Sequence, residues 1–242
     1  MQPDQPVSDD RSTNRTARST CGTILSMPVS DATPLRADAQ RNLDRILEAA
    51  RLSFAEYGLD VAVDAIARRA GVGKATFFRR FPTKDALVIA VMEGFVTEME
   101  ESAERAAAHA DPWEGLRSFM VDHARMLAEN AGFFDAMAAR FTQGQMFPPD
   151  FVERTTATSE RALAPAREAG LIREGVTGND IMAMLKMLGP AIRPLPEIRI
   201  AEAVWTRYLE LLLSGIRAGQ EPLVGPSLDF CALAREAGRV SA

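Results

Sequence analysis

Residues 63–81 read VDAIARRAGVGKATFFRRF, from Val63 to Phe81, and this stretch decides the fold. Ile66, Ala67 and Ala70 recur at helical spacing, so a helix runs up to Gly71. Gly71 stands where that helix must stop, and glycine enters the left-handed backbone region without steric cost. Val72 fills the corner. From Lys74 to Phe81 the chain has room for about two further turns, with Phe77 and Phe81 on one face. The other side carries Lys74, Thr76, Arg79 and Arg80. A short helix with an apolar back and a cationic front suits the major groove of DNA.

Outward from this pair, helical patterns continue in both directions. Leu43, Ile46, Leu47, Ala50 and Phe54 make the buried stripe of a first helix over 35–57, and Gly58 stops it. Pro82 breaks the reading helix, and Thr83 caps a fourth helix over 84–108, with Leu87, Val91, Phe95 and Met99 near i+4. Asp111-Pro112-Trp113-Glu114 opens a fifth helix reaching 129, with Asp as cap and Pro in the first turn. A sixth is expected over 133–142, a loop over 144–149 and a seventh helix over 149–169, kinked by Pro165. Thr177 to Asp180 form a second capping box, opening an eighth helix that ends near Leu188, before Gly189-Pro190. A ninth is expected over 197–217 and a short further helix over 228–236. No segment alternates like a strand, so the fold class is all-α with about nine helices.

Composition narrows the function. The 242 residues suffice for a proper core, and 47% apolar with 25% charged is ordinary globular material. No apolar run approaches the roughly 18 residues of a membrane span, and no secretory signal is read at the start. Cys21 and Cys231 make no metal or redox spacing, so an intracellular protein is expected. The net charge of -5 argues against a nucleic-acid binder, but its distribution reverses that. Residues 36–84 hold ten Lys and Arg against six Asp and Glu, net +4, whereas residues 85–242 are net -8. A basic segment on an acidic body is the footprint of a DNA-reading head. Residues 1–34 show no periodicity and are expected to be disordered; Met27 is a second candidate start.

With its flanks, the segment resembles the TetR family of bacterial transcriptional regulators. The resemblance runs through Arg41-Asn42-Leu43-Asp44-Arg45-Ile46-Leu47-Glu48-Ala49-Ala50 and Phe54-Ala55-Glu56-Tyr57-Gly58. It continues in Ile66 to Gly73 and in Ala75-Thr76-Phe77-Phe78-Arg79-Arg80-Phe81-Pro82-Thr83-Lys84-Asp85-Ala86-Leu87. Between Gly58 and Ile66 the chain is one residue shorter than the commonest pattern, a GLDV form known in one subgroup. Ala62 there replaces a capping hydroxyl.

The resemblance implies roles residue by residue. Gly73, Lys74, Ala75 and Thr76 would face base edges, Lys74 and Thr76 with polar groups to offer. Phe78 stands where a Tyr commonly bonds a phosphate; it cannot do so, but can pack on a sugar or a thymine methyl. Arg79 would reach bases or backbone. Arg80, Lys84 and Arg41 would approach phosphates, Lys84 beside the backbone amides of a helix start.

In the body, Phe119, His123, Met126, Phe134, Met137 and Phe141 read either as the adaptable lining of an apolar ligand pocket or as plain core. His123 is either a polar anchor or a partly buried histidine. The resemblance favours a ligand pocket for the domain without naming its lining. Ile181, Met184, Leu185 and Leu188 make one stripe, and Val204, Tyr208, Leu211, Leu212 and Ile216 another. The resemblance implies that these two helices pack against their copies as a four-helix dimer interface.

The expectation is therefore a DNA-binding regulator, a repressor by preference. It would bind a palindromic operator on double-stranded DNA as a homodimer and be released by an unidentified small-molecule effector. The expected domains are an extension at 1–34, a DNA-binding head at 35–84, a ligand and dimerisation body at 85–217 and a tail at 218–242. The expected location is the bacterial cytoplasm, at the nucleoid, with no membrane partner. One alternative is a ligand-independent DNA-binding or architectural protein of the same fold. Another is a helical enzyme, which the sequence opposes: His109 and His123 are its only histidines, and no nucleophile motif or phosphate-cradling loop is present. No catalytic residue, metal site or cofactor is expected.

Overall fold

A computed structural model describes residues 32–142, 149–191, 202–219 and 221–240. Among them are ten α-helices and one 3₁₀ turn. The head consists of α1 (Ala32–Tyr57), the 3₁₀ turn Gly58–Asp60, α2 (Val63–Ala70) and α3 (Lys74–Arg80). The body holds α4 (Lys84–Ala107), α5 (Pro112–Glu129), α6 (Ala131–Thr142), α7 (Pro149–Glu168), α8 (Gly178–Ala191), α9 (Glu202–Gly215) and α10 (Phe230–Val240). Extended pairing among the described residues is limited to one isolated bridge, Ile172 with Arg217.

The helix ends follow local chemistry. Gly71 takes φ +65° and closes α2, its N–H donating to the Arg68 carbonyl at 3.1 Å while the Val72 N–H reaches the Ala67 carbonyl at 3.2 Å. Ala62 caps the start of α2 with no side-chain bond, as a residue lacking a hydroxyl must. Thr83 Oγ1 accepts from the Ala86 N–H at 3.1 Å and starts α4. Asp111 Oδ1 accepts from the N–H groups of Trp113 and Glu114 at 2.9 and 3.1 Å and starts α5. The Thr177 N–H donates to Asp180 Oδ2 at 2.8 Å, and the Asp180 N–H to Thr177 Oγ1 at 3.4 Å, a reciprocal cap on α8.

Several boundaries differ from the sequence expectation. α6 starts at Ala131 rather than Phe133, because the carbonyl of Asn130 accepts from the N–H groups of Phe133 and Phe134. Helix α8 does not end before Gly189-Pro190 but runs on to Ala191, its last turns held by the buried Leu188. α9 is described from Glu202 and ends at Gly215, two residues before its expected end, and the helix expected over 228–236 is α10, Phe230–Val240. The expected loop over 144–149, the extension and the segment 192–201 lie largely or wholly outside the described residues.

Helix α4 is the axis of the molecule, packed against α1, α5 and α7. Arg154 of α7 bridges to it, its guanidinium 2.6 Å from Glu93 and 3.1 Å from Glu100. The head core of Ile46, Ala50, Phe54, Ile66 and Phe77 is continuous with Leu87 and Phe95 of α4. Four aromatic rings stack across the junction: Phe54 lies 5.9 Å from Phe133, Phe133 lies 5.3 Å from Phe95, and Phe95 lies 5.0 Å from Phe134. At the same junction Gly132 opens α6 against the last turn of α1. A Cβ there would lie 2.4 Å from the Ala55 carbonyl oxygen and 2.9 Å from that of Phe54. Glycine is what permits this approach. At the far end α10 leans on α7, with the Lys186 ammonium of α8 3.9 Å from the centre of the Phe230 ring.

Candidate DNA-reading face and ligand cavity

Burial of Phe77 and Phe81 fixes which way α3 faces. With those rings in the core, Lys74, Ala75, Phe78, Arg79 and Arg80 are exposed and Thr76 is half-buried. Gly73, just before α3, has open space where a Cβ would stand, with no other described residue within 4 Å. Arg79 and Arg80 make no ion pair among the described residues. The Lys74 ammonium rests on Asp64 at 2.9 Å and near the Phe78 ring at 5.8 Å. Both Lys74 and Asp64 are exposed, so the pair exchanges at little cost for a phosphate or base. Phe78 is 38% exposed, held edge-on to Phe77 at 5.7 Å. Arg41 is exposed on α1 and bound to Asp38 one turn away. Lys84 is half-buried at the first turn of α4. Arg140 ties α6 to that same turn through Asp85 at 2.7 Å.

A cavity of about 260 Å³ opens between α1, α4 and α5. Met99, Ser102, Phe119, His123 and Met126 form its buried floor. His123 is 6% exposed and its Nδ1 has no hydrogen-bond partner among the described residues. Burial without a compensating charge pushes its pKa down to about 4, so the imidazole is neutral at physiological pH. Of the six pocket residues expected from sequence, Phe119, His123 and Met126 line this cavity. Phe134 instead belongs to the aromatic junction, and Met137 is buried in the core away from the cavity. The side chain of Phe141 lies outside the described residues.

The charged rim escaped the sequence reading. Arg51 reaches in from α1, bonded to Glu98 of α4 and donating through Nε to Asn130 Oδ1 at 3.1 Å, with its guanidinium 4.8 Å over the Phe95 ring. Arg105 and Arg125 share Asp122 at 3.2 and 3.7 Å. Glu101 and Glu129 complete the rim without an ion pair among the described residues. Their i, i+3 and i+4 spacing on α4 and α5 was legible, but solvated helix faces carry the same pattern.

The stripes assigned to dimer contact divide in two. Ile181, Met184, Leu185, Leu188 and Ile216 are buried in the chain's own core, because α8 is covered by α5, α7 and α9. They are not a surface, and that expectation is corrected. Tyr208 and Leu211 are 48% and 59% exposed, Leu212 is half-buried against the core, and the Val204 side chain lies outside the described residues. Met187 of α8, absent from the expected set, is 64% exposed.

Two family models match the chain. Residues 46–91 match "Bacterial regulatory proteins, tetR family", and residues 111–218 match "Transcriptional regulator SbtR-like, C-terminal domain". The HTH-type transcriptional repressor Rv1474c of Mycobacterium tuberculosis is 32% identical over 155 residues, 60% of this chain and 76% of that protein. The chain belongs to the TetR family of bacterial transcriptional regulators. Solved members agree in fold. A TetR regulatory protein from Mycobacterium vanbaalenii is 36% identical with a TM-score of 0.57, covering 76% of this chain and 100% of its own. The regulator SCO0520 of Streptomyces coelicolor is 31% identical with a TM-score of 0.59, covering 73% and 99%. This TetR-family chain is thus a transcriptional regulator and not an enzyme. Among its described residues no helix is long and apolar enough to cross a membrane, and no cluster of His, Cys, Asp or Glu could hold a metal ion.

Proposed function

We propose that this regulator binds a palindromic operator as a homodimer and is released from it by a small molecule seated beside His123. The observation that carries this reading is Arg51. It lies on α1, a helix of the head, and also walls the cavity. A ligand there meets head and body at once, which is what differential affinity for two head positions requires. A coupling of roughly 1–3 kcal/mol would weaken operator binding about 5- to 150-fold.

The head, residues 35–84, would present Gly73, Lys74, Ala75 and Thr76 to base edges, Arg79 to bases or backbone, and Arg80, Lys84 and Arg41 to phosphates. Two heads about 34–36 Å apart, or a multiple, would meet successive major grooves. The exposed Met187, Tyr208 and Leu211 on α8 and α9 support a two-fold contact through that face. The resemblance to a named repressor supports repression, and a cytoplasmic site of action follows from the DNA target.

The test is selection of genomic DNA fragments by the purified full chain at fixed salt. A palindromic motif upstream of a few genes is the expected result. Fragments recovered without a common motif would reduce the head to a backbone tracker and sink the operator reading.

A further inference from the structure

We propose that the cavity beside His123 takes a small organic cation, a protonated amine carried on a compact apolar body. This rests on the ligand-responsive reading above and narrows it to one chemical class.

The floor sets the body of the ligand. Met99, Phe119 and Met126 offer an apolar, polarisable surface, and the volume of about 260 Å³ lies just under the roughly 300–1,000 Å³ usual for ligand pockets. The occupant is therefore small. His123 sets one polar contact. Its buried Nδ1 has no partner among the described residues, an arrangement that costs free energy until a donor reaches it. A neutral imidazole with its proton on Nε2 accepts at Nδ1, so an N–H donor satisfies it.

The rim sets the charge. Each arginine on it already faces an oxygen: Arg51 has Glu98 and Asn130, and Arg105 and Arg125 have Asp122. An anion would have to break those pairs. Glu101 and Glu129, by contrast, make no ion pair among the described residues, and the lining as a whole, Arg51, Arg105 and Arg125 against Glu98, Glu101, Asp122 and Glu129, is net negative. An ammonium at the mouth meets these carboxylates without displacing an ion pair.

Three probes of similar size separate the classes: 2-phenylethylammonium, 3-phenylpropanoate and neutral 2-phenylethanol. Calorimetric titration into the full chain is expected to show binding of the amine and at least roughly 10-fold weaker binding of the carboxylate. The double variant Glu101→Gln, Glu129→Gln should lower amine affinity about 5- to 10-fold and leave the alcohol unchanged. His123→Leu should weaken the amine further; the surface double variant keeps the test decisive should His123→Leu fail to fold. Carboxylate binding equal to or tighter than the amine overturns the assignment, as does an unchanged amine preference in the double variant. Failure of all three probes to bind also overturns it. The same samples carry the operator fragments selected above. Amine binding with the fragments retained would uphold the site and sink the release mechanism; tight carboxylate binding with release would do the reverse.

Discussion

At the scale of single residues, the proposed DNA contact divides between side chains that read and side chains that hold. Arg79 is exposed and unpaired among the described residues, whereas Lys84 is anchored at a helix start. Arg79→Ala is expected to relax base preference at one operator position at a cost of about 1–3 kcal/mol, while Lys84→Ala weakens all sequences alike and reduces the salt slope by about 1. Binding isotherms on operator and scrambled DNA across salt distinguish the two. His123 makes a different prediction. Its folded pKa near 4 lies below the ordinary 6.5, so between those values the unfolded chain binds more protons than the folded one. Stability from this group is complete above 6.5 and lost as pH falls toward 4. From pH 7 to 5 the parent should lose about 2 kcal/mol more than His123→Leu, read from urea midpoints.

At the scale of helices, capping residues were legible because a cap is local chemistry. Asp111, Thr83 and the Thr177–Asp180 pair act where the sequence places them. Gly71 likewise turns where the left-handed region is needed. What local pattern does not carry is which neighbour covers an apolar face. The α8 stripe of Ile181, Met184, Leu185 and Leu188 looks the same whether it meets a second copy or the chain's own α5, α7 and α9. The paired chemistry of the cavity was similarly hidden. Arg51 and Glu98 are 47 residues apart and read singly as solvated charges. Gly132 carries no turn or cap signal in the sequence, yet its backbone abuts α1. Gly132→Ala must displace α6 from the Ala55 carbonyl and is expected to cost about 1–3 kcal/mol, measured as a shift in denaturant midpoint.

At the scale of the whole molecule, the proposed homodimer needs two heads held at one spacing, and the exposed Met187, Tyr208 and Leu211 of α8 and α9 are the apolar residues offered for that contact. Leu211→Glu places a charge on that face without disturbing the monomer core, a cleaner test than the half-buried Leu212. Monomers in sedimentation and poor operator affinity are the expected result; an intact dimer would place the contact elsewhere. The fold class and the head were readable because long apolar periodicity and a turn glycine survive in one dimension. The cavity was not, since three helices distant in sequence must meet before it exists.

Arg51 is a residue of the head whose side-chain bonds go to the body, to Glu98 and to Asn130. Under the proposed release mechanism, a reporter screen for constitutive mutants and a screen for mutants deaf to inducer should therefore both return it. Loss of its grip on Glu98 frees the head and gives constitutive alleles; a substitution that keeps the grip while blocking the cavity gives super-repressed ones. One codon yielding opposite phenotypes would mark it as the hinge pin of the switch.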